Sequence, residues 1–346
     1  MIKRKINNKI LITGGCGFVG SNLAIYLKNK KFNITSLDNF ARKGSRLNYK
    51  FLKNNNIKNL NIDIRNKKKI SLLSRFDYII DCCAEPSVEM SKTNIRKVFD
   101  INLVGTLNIL EKITKDKSKL IFISSSRVYS INAINKDFKN KIKGKNLKSK
   151  INKNYQTLGA KSFYGFTKFA SENIIEEFNY LFKIDYLINR CGVIAGPGQF
   201  GKTDQGFASL WVWKYLTKQN MKYIGYGGNG NQVRDLLHIE DFCELIYKQI
   251  KKFKKIKNET FTVGGGLKNA TSLGKFSNLC EKIIGNKIYF SKIKKTSIYD
   301  IPYFVTCNKT ISKVYGWSPK KNLSDLIKDT LSWQKTHFKV LKKYLN

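Results

Sequence analysis

The segment Leu11–Gly20 constrains the fold most strongly, because it joins an apolar run to a helical pattern through a turn that requires glycine. Gly14 supplies the tight turn, Gly17 lets the backbone approach a phosphate group, and Gly20 lets the helix pack closely on the strand Lys9–Thr13. The N-terminus of that helix would direct free N–H groups and its positive dipole end at the bound group. The segment predicts a phosphate cradle, with a purely structural glycine turn as the alternative.

An acidic residue follows at the position where such a cradle uses one. Asp38 closes the next apolar run, Phe32–Leu37. It stands roughly 20 residues after the glycines, where a carboxylate binds the hydroxyls of an adenine ribose. The two features together predict a dinucleotide site. A carboxylate repels the 2′-phosphate of NADP, so the pattern favours NAD, although Arg42 and Lys43 would soften this preference.

The composition is that of a globular chain. Its 346 residues, 42% of them hydrophobic, are enough for a full core in one large or two fused domains. The chain has no apolar run of about 18 residues, and its N-terminus leads directly into the first strand, so we expect no membrane partner and a cytoplasmic location. Seven cysteines without a Cys-x-x-Cys pair, and only two histidines, predict neither disulfides nor a metal site.

The net charge of +41, from 65 Lys+Arg against 24 Asp+Glu, is unusual. Such a balance is typical of proteins that bind nucleic acid or anionic membranes. Here the lysines are spread through nearly every loop and helix, and the densest runs, 136–153 and 251–257, carry almost no aromatic residues for base stacking. We therefore expect no nucleic-acid partner, and we interpret the charge as a solvated surface that would also attract an anionic substrate.

Apolar runs and helical patterns alternate through the first half of the chain. This alternation predicts an α/β fold with a Rossmann-type doubly wound parallel sheet. The clearest helical pattern spans Phe163–Phe182, with Ser162 as its N-cap. The six predicted strands are Lys9–Thr13, Asn33–Leu37, Asn59–Asp63, Tyr78–Cys82, Leu120–Ser124 and Asp185–Arg190.

The sequence pattern changes after Arg190, where glycine-rich turns and aromatic clusters separate shorter elements. We expect an NAD-binding domain over residues 1–190 and a smaller α/β substrate domain over 191–346, with 231–250 able to return to the first domain. The lysine- and asparagine-rich insertion Ser130–Lys161 predicts a mobile surface loop.

Two further stretches carry chemistry. Tyr164 and Lys168 are four apart on the predicted helix, so their side chains share a face and can work as a unit. A tyrosine that acts as a base near pH 7 needs its pKa lowered by about 3 units, and a cation about 4 Å away supplies a stabilisation of that size. The strand before them ends in Ser124, Ser125 and Ser126 at the edge where such sheets bind ligands. The set predicts a hydride-transfer site.

The chain resembles the extended short-chain dehydrogenase/reductase family, the nucleotide-sugar epimerases and dehydratases, over almost its whole length. The motifs that carry this resemblance are Thr13–Gly20 (TGGCGFVG), Asp63–Arg65 (DIR), Asn102–Thr106 (NLVGT), and the catalytic set Ser125, Tyr164 and Lys168. Within the family, the CDP-paratose 2-epimerase branch is the most similar. The segments that match this branch are Asp38–Ser45, Gly196–Gly206 and Gly228–His238.

The resemblance implies a set of site residues. Ser125, Tyr164 and Lys168 would be catalytic. The implied cofactor-binding residues are Gly14, Gly17, Phe18, Val19, Asp38, Asn39, Arg42, Asp63, Ile64, Cys83, Ala84, Asn102, Tyr164, Lys168 and Cys191. The implied substrate-binding residues are Ser126, Gln199, Thr203, Gln205, Arg234 and Asp300. Arg234 would hold the diphosphate. Many relatives carry an arginine three residues before the aspartate, where Ser297 stands here, so that contact is missing or supplied by another residue.

The implied activity is inversion of a sugar carbon in a nucleotide-diphosphate sugar by transient oxidation, with NAD as cofactor and a homodimer as the assembly. A UDP-sugar 4-epimerase and a sugar 4,6-dehydratase are the alternatives within the family. Dehydratases need an acid after the catalytic serine, where Ser126 and Arg127 stand here, and this argues against elimination. The alternative of another class is a basic, non-catalytic protein that binds NAD or nucleic acid. For His238 we expect a structural hydrogen bond rather than a catalytic role.

Overall fold

The computed structural model describes residues 8–42, 44–138, 151–202 and 205–345. Its strands, in chain order, are β1 Lys9–Thr13, β2 Asn33–Leu37, β3 Lys58–Leu60, β4 Tyr78–Asp81, β5 Lys119–Ser125, β6 Asp185–Cys191, β7 Val193–Ala195, β8 Met221–Ile224, β9 Val233–His238, β10 Glu259–Val263, β11 Ala270–Ser272, β12 Phe290–Ile293 and β13 Tyr303–Phe304.

The helices flank these strands. They are α1 Phe18–Asn29, α2 Ser45–Asn54, α3 Lys67–Ser71, α4 Met90–Thr93, α5 Ile95–Phe99, α6 Gly105–Asp116, α7 Ile131–Phe138, α8 Phe163–Phe182, α9 Phe207–Leu216, α10 Ile239–Lys252, α11 Leu273–Ile284, α12 Lys309–Tyr315, α13 Leu323–Thr336 and α14 Phe338–Leu345. A π-helical turn, Asp100–Val104, connects α5 to α6.

A seven-stranded parallel sheet in the order β10-β6-β5-β4-β1-β2-β3 forms the centre of the fold. Its central strands are almost continuously apolar, because helices cover both faces of a parallel sheet. One core cluster packs α1 and α10 on one face, and another packs α6 and α8 on the other. The predicted Rossmann-type α/β class is confirmed.

The local predictions agree closely with these elements. Strands β1 and β2 and helix α8 have the predicted bounds, and the Ser162 hydroxyl caps α8 by accepting a hydrogen bond from the Gly165 N–H at 3.1 Å. The predicted strands do not include the seventh, β10, which pairs with β6 at the edge of the sheet. This strand follows α10, beyond the predicted domain boundary at residue 190, where the sequence predicts a separate substrate domain.

The prediction of a mobile loop over Ser130–Lys161 is wrong for its first part. Residues 131–138 form α7, whose Ile131, Ile134 and Phe138 are buried in a core cluster with Tyr303 and Phe304. The spacing of these three residues is helical, but the surrounding lysines and asparagines hid it. Residues 139–150 of the predicted loop lie outside the described residues. Residues 151–161 are largely turns and irregular structure, as predicted for a loop, but Ile151 is buried in the same core cluster and forms a β-bridge with Thr306.

The second half of the chain adds a smaller sheet, in which β9 pairs with β7, β11 and β13, and a two-stranded sheet of β8 and β12. Helices α9, α11 and α13 pack around them. Helix α10 packs against α1 of the large sheet, so the chain crosses between the two sheets more than once. The division at residue 190 remains our proposal for the folding units. In the described part of the chain, no helix is long and apolar enough to cross a membrane.

Candidate active site

A cleft of about 400 Å³ opens at the carboxyl ends of β1 and β4. The strand order reverses between these two strands, and open α/β sheets bind ligands at such a point. The loops that follow β1, β2, β4, β5 and β6 all contribute residues to its walls. The topology therefore brings the glycine segment and the serine-rich strand end, which are far apart in the sequence, to one site.

The glycine segment has the tight geometry that its sequence predicts. Gly14 adopts a φ of +60°, which strains residues with a side chain. A Cβ atom on Gly20 would lie 2.3 Å from the Gly14 carbonyl oxygen, so α1 packs on the turn as closely as only glycine permits. Gly17 is the N-cap of α1 and brings no side chain to the first N–H groups of this helix. These N–H groups face the cleft and suit a phosphate.

Acidic side chains line the far end of the same cleft. The Asp38 carboxylate accepts hydrogen bonds from the Cys16 N–H at 3.1 Å and the Phe40 N–H at 2.8 Å, which fix its orientation beside the glycine loop. Burial raises the pKa of Asp38, although these two bonds oppose the rise. Asn39 donates to Asp63 at 2.8 Å, so the ends of β2 and β3 are joined here. This part of the cleft presents oxygen acceptors to a ribose.

Ser125 and Tyr164 meet at the wall of the cleft. Ser125 is the last residue of β5 and Tyr164 lies in the first turn of α8, and both residues line the cleft. Burial raises the pKa of the Tyr164 phenol, while the nearby Ser125 hydroxyl and the positive charges of Arg127 and Arg42 oppose that rise. A phenol and a hydroxyl arranged in this way can together remove a proton from an alcohol that lies between them.

Lys168 follows Tyr164 by one helical turn, but its side chain lies outside the lining of the cleft. Its Nζ stands 3.8 Å from the centre of the Phe122 ring, and only 2% of the residue is exposed. Burial lowers the pKa of this ammonium group, while the carboxylates of Asp81 and Glu172 oppose the change. The sequence predicted the helical spacing of Lys168 but not its partners.

The cleft lining contains most of the residues predicted for the site. Those that line it are Gly14, Gly17, Phe18, Val19, Asp38, Asn39, Arg42, Asp63, Ile64, Cys83, Ala84, Ser125, Tyr164, Cys191, Gln199 and Gln205. Asn102, Ser126, Lys168, Arg234 and Asp300 lie outside the lining. Thr203 lies outside the described residues. Asn102 is buried behind the cleft, where its amide accepts from the Glu85 N–H at 2.7 Å and donates to Thr167 at 3.0 Å.

One side-chain contact joins the loop after β2 to the loop that carries Gln205. The Arg42 guanidinium donates a hydrogen bond to the Gln205 side-chain oxygen, although the two residues are 163 positions apart. Beside this contact the Phe200 ring lies against Gly44, where a Cβ atom would approach the ring to 2.7 Å. Arg42, predicted only as a cofactor contact, therefore also holds the loop that carries the predicted substrate residues.

A cluster of charge stands beside Tyr164. Arg234 donates to Asp300 at 3.1 Å and to the Ile301 carbonyl at 2.8 Å, and Arg127 donates to the Tyr299 carbonyl at 2.8 Å. Burial lowers the pKa of Arg127, and the charge of Arg234 lowers it further. Arg234 is thus paired with a carboxylate while Arg127 is held by a carbonyl oxygen, which leaves positive charge for an anionic ligand.

Sequence reasoning missed three residues around the site. Arg127 was used only as an argument against elimination, although its position two residues after Ser125 was a signal. Glu172 is four residues after Lys168 on α8 and forms a buried ion pair with Arg190 at 2.8 Å. Asp81 ends β4 beside β1, and only the order of the strands reveals that it lies near the catalytic helix.

His238 and the cysteines have structural surroundings. The Nδ1 atom of His238 accepts a hydrogen bond from the Glu240 N–H at 3.1 Å and caps α10, so the predicted structural hydrogen bond is confirmed. The side-chain atoms of His238, Glu240 and Asp329 that can bind a metal ion lie within 4.8 Å of one another. The Lys321 ammonium pairs with Asp329 at 2.9 Å and so neutralises the charge of that carboxylate. All seven cysteines are free thiols, as expected.

Comparison with known proteins assigns the family. A family model described as the NAD dependent epimerase/dehydratase family matches residues 10–264. The chain belongs to this family. It is 30% identical to the CDP-paratose 2-epimerase of Salmonella typhi over 335 residues, which cover 94% of this chain and 98% of the relative. The resemblance that the sequence motifs predict is confirmed.

Two other members of the epimerase/dehydratase family are similar over their full length. A putative UDP-glucose 4-epimerase of Methanocaldococcus jannaschii is 28% identical and covers 95% of this chain, which in turn spans 99% of that relative. The crystal structure of UDP-glucuronic acid 4-epimerase from Bacillus cereus, in complex with UDP-glucuronic acid and NAD, superposes with a TM-score of 0.80 at 25% identity, covering 95% of this chain and 99% of that one. The chain is an NAD-dependent isomerase of the nucleotide-sugar epimerase family.

The cleft fits the cofactor of this family. A Cβ atom on Gly17 would lie 3.0 Å from the Gly14 carbonyl oxygen, so the turn keeps the backbone bare where a diphosphate approaches. Asp38 stands where a ribose would offer its hydroxyl groups, and Cys83, Ala84 and Tyr164 border the space between the glycine loop and Ser125. NAD is the cofactor of the family, and these residues are the ones that would hold it here.

Proposed function

We propose that this protein is a CDP-paratose 2-epimerase, which inverts carbon 2 of a CDP-linked deoxyhexose. The observation that carries the chemistry is that Ser125 and Tyr164 line the wall of the same cleft that the glycine loop borders. The choice of substrate is supported by the likeness to the Salmonella typhi enzyme over 94% of this chain.

Each catalytic side chain has a distinct task in this proposal. When bound, NAD would supply reversible hydride transfer, and the hydride would return to the opposite face of the sugar carbon, which inverts it. Tyr164 takes the proton of the sugar hydroxyl as that hydride leaves, and it gives the proton back in the second half of the reaction. Ser125 orients the sugar oxygen through its hydroxyl. Lys168, Arg127 and Arg42 supply positive charge that favours the phenolate form of Tyr164.

The charged cluster beside Tyr164 suits the diphosphate of the substrate. Arg234 pairs with Asp300, and Arg127 is held by the Tyr299 carbonyl, so a diphosphate would meet more positive charge than this one carboxylate balances. Gln199 and Gln205 line the cleft and would border the sugar and nucleotide. Ser126, which lies one residue beyond Ser125, would contact the sugar from the strand end.

The second candidate is a UDP-sugar 4-epimerase, because the Methanocaldococcus jannaschii relative is 28% identical over 95% of this chain. The same Ser125 and Tyr164 serve either carbon, so the geometry of the site favours neither. A 4,6-dehydratase is less consistent with the site, because Ser126 and Arg127 follow Ser125 and neither is an acid that expels water.

One experiment separates these candidates. The purified protein is incubated with CDP-, UDP-, GDP- and dTDP-sugars and NAD, and the products are read by NMR. Inversion at C2 of a CDP-sugar supports the proposal, inversion only at C4 refutes the paratose assignment, and loss of water identifies a dehydratase. Tyr164→Phe is expected to abolish turnover while the protein retains its NAD. Tyr289→Phe, at a position 68% exposed and outside the lining of the cleft, is the matched control and is expected to keep full activity.

The proposal includes a homodimer. Helix α8 exposes Phe166 and, near its end, Tyr180, Leu181 and Phe182, while Ile95 is exposed at the start of α5. Exposed large apolar side chains grouped in this way are typical of an interface. Sedimentation at micromolar concentration is expected to give twice the 39.9 kDa mass of the chain, and a monomer would contradict this part of the proposal.

A further inference from the structure

A row of side chains crosses the sheet beneath the catalytic helix. Asp81 in β4 is in register with Thr13 in β1 on one side and with Phe122 in β5 on the other. Register partners on neighbouring strands point to the same face of a sheet. The Lys168 Nζ stands 3.8 Å from the centre of the Phe122 ring. The ammonium group therefore stands over the ring that adjoins Asp81 in this row.

The Asp81 carboxylate is fully buried and lies outside the lining of the cleft. Its Oδ1 accepts hydrogen bonds from the Thr13 hydroxyl and from the Cys83 N–H at 3.2 Å. Its Oδ2 accepts only a long bond from the Thr106 hydroxyl at 3.4 Å. These neutral donors fix the position of the carboxylate, but they supply no positive charge to balance it.

Neither charge is stable in such a place without the other. Moving an isolated ammonium or carboxylate into a protein interior costs several kcal/mol. This cost is on the order of the free energy that stabilises a whole folded protein. Lys168 is 2% exposed and Asp81 is fully buried. The Phe122 ring offers the ammonium its negative π face, which compensates only part of that cost.

The other titratable groups near Lys168 do not balance its charge. Glu172, from the same helix, is already engaged by Arg190 through two nitrogen atoms, at 2.8 and 3.0 Å. The thiols of Cys82, Cys83 and Cys191 also lie near Lys168, and burial raises the pKa of each, so they stay neutral. Burial likewise raises the pKa of the Tyr164 phenol, one turn earlier on α8. Asp81 is thus the carboxylate near Lys168 that has no cation of its own.

We propose that Asp81 is a positioning residue of the active site, whose carboxylate keeps Lys168 in its ammonium form and holds it against Phe122. Asp81 touches neither the sugar nor the cofactor and acts through Lys168. The inference rests on the hydride-transfer role proposed above for Tyr164 and Lys168, because a neutral lysine would no longer favour the phenolate. Thr13 and Thr106 orient the carboxylate for this purpose.

The variant Asp81→Asn tests the proposal, because the amide keeps an oxygen for the Thr13 hydroxyl and removes only the charge. We expect the alkaline limb of the kcat profile to move down by at least one pH unit, which lowers kcat about tenfold on that limb while KM changes little. Asp81→Glu restores a charge and is expected to restore much of the alkaline limb. An unshifted pH profile in Asp81→Asn would overturn the proposal, because it would mean that Asp81 is already protonated and neutral.

A matched control addresses a purely structural role. Asp116 is also a buried carboxylate, paired with Lys112 at 2.6 Å at the other end of the sheet, away from the cleft. Asp116→Asn is expected to lower the stability of the protein without moving the pH profile. If both asparagine variants shifted the profile equally, the effect would be general and Asp81 would have no particular link to Lys168.

A thermodynamic cycle keeps the test valid without activity. Asp81→Asn, Lys168→Met and the double variant are unfolded in urea. If Asp81 balances Lys168, then Asp81→Asn destabilises the wild-type protein more than it destabilises Lys168→Met, and the double variant folds even where Asp81→Asn alone does not. Equal effects in the two backgrounds would refute the pairing. This readout does not depend on a substrate, so failure of the proposed epimerase function would be recognised separately.

Discussion

Removing Glu172 is expected to destabilise the protein strongly, because it leaves the guanidinium of Arg190 buried without its counter-charge. Arg190 donates from Nε at 3.0 Å and from Nη2 at 2.8 Å to Glu172, and the Ser124 hydroxyl donates to the same carboxylate. The side chain of Glu172 is 1% exposed and that of Arg190 is 10% exposed. After Glu172→Leu, the guanidinium keeps the Lys153 carbonyl at 2.9 Å and the face of Tyr129.

The expected loss is about 3–5 kcal/mol in the free energy of unfolding, the usual cost of one partner of a buried ion pair. This is a large part of the roughly 5–15 kcal/mol that stabilises most proteins. The double variant Glu172→Leu with Arg190→Met removes both charges, and we expect it to recover at least half of the loss. The recovery is incomplete because the Ser124 hydroxyl loses its acceptor.

Urea unfolding followed by circular dichroism and by tryptophan fluorescence measures these values, provided that the two transitions coincide. A loss below about 1 kcal/mol in Glu172→Leu would refute the reasoning, since that is the value of an exposed pair. A double variant as unstable as the sum of the two single variants would refute it as well, because the two residues would then act independently.

Two further predictions concern acidic residues of the cleft. Asp38→Ser removes the carboxylate that would repel a 2′-phosphate, so the ratio of NADP to NAD affinity, measured by titration, is expected to rise at least tenfold, and an unchanged ratio would count against the assigned role of Asp38. Hydrogen bonds from Arg65 lower the pKa of Asp63 from 3.8 to about 2. A carboxyl with a lowered pKa contributes stability above its unfolded value that is lost as the pH falls through its folded value. Asp63→Asn is therefore expected to lower the free energy of unfolding at pH 7 by less than about 1 kcal/mol, because the pair is exposed. The difference between the variant and the wild-type protein should shrink between pH 4 and pH 2. A difference independent of pH would contradict this.

The sequence predicted the parts of the fold that depend on local patterns. The Phe163–Phe182 helix and its Ser162 cap follow from helical periodicity and from one hydroxyl at the right position. The strand bounds of β1 and β2 follow from short apolar runs between polar residues. The insertion after Ser130 does not show its helix by composition, because three buried side chains at helical spacing are outnumbered by lysine and asparagine. Composition describes the exposed face of an element better than its buried face.

Local sequence is enough to predict the glycine turn, the acidic residue after β2 and the shared helix face of Tyr164 and Lys168. Each of these features depends on residues within one strand, turn or helix. The tertiary structure decided which charges meet. It brought Arg42 to Gln205, placed Arg127 beside Tyr164, and set Asp81 next to the ring on which Lys168 rests. These contacts depend on strand order and on distances of a few ångströms between residues far apart in the chain. Coulomb interactions and burial act over those distances, and a linear sequence does not contain them.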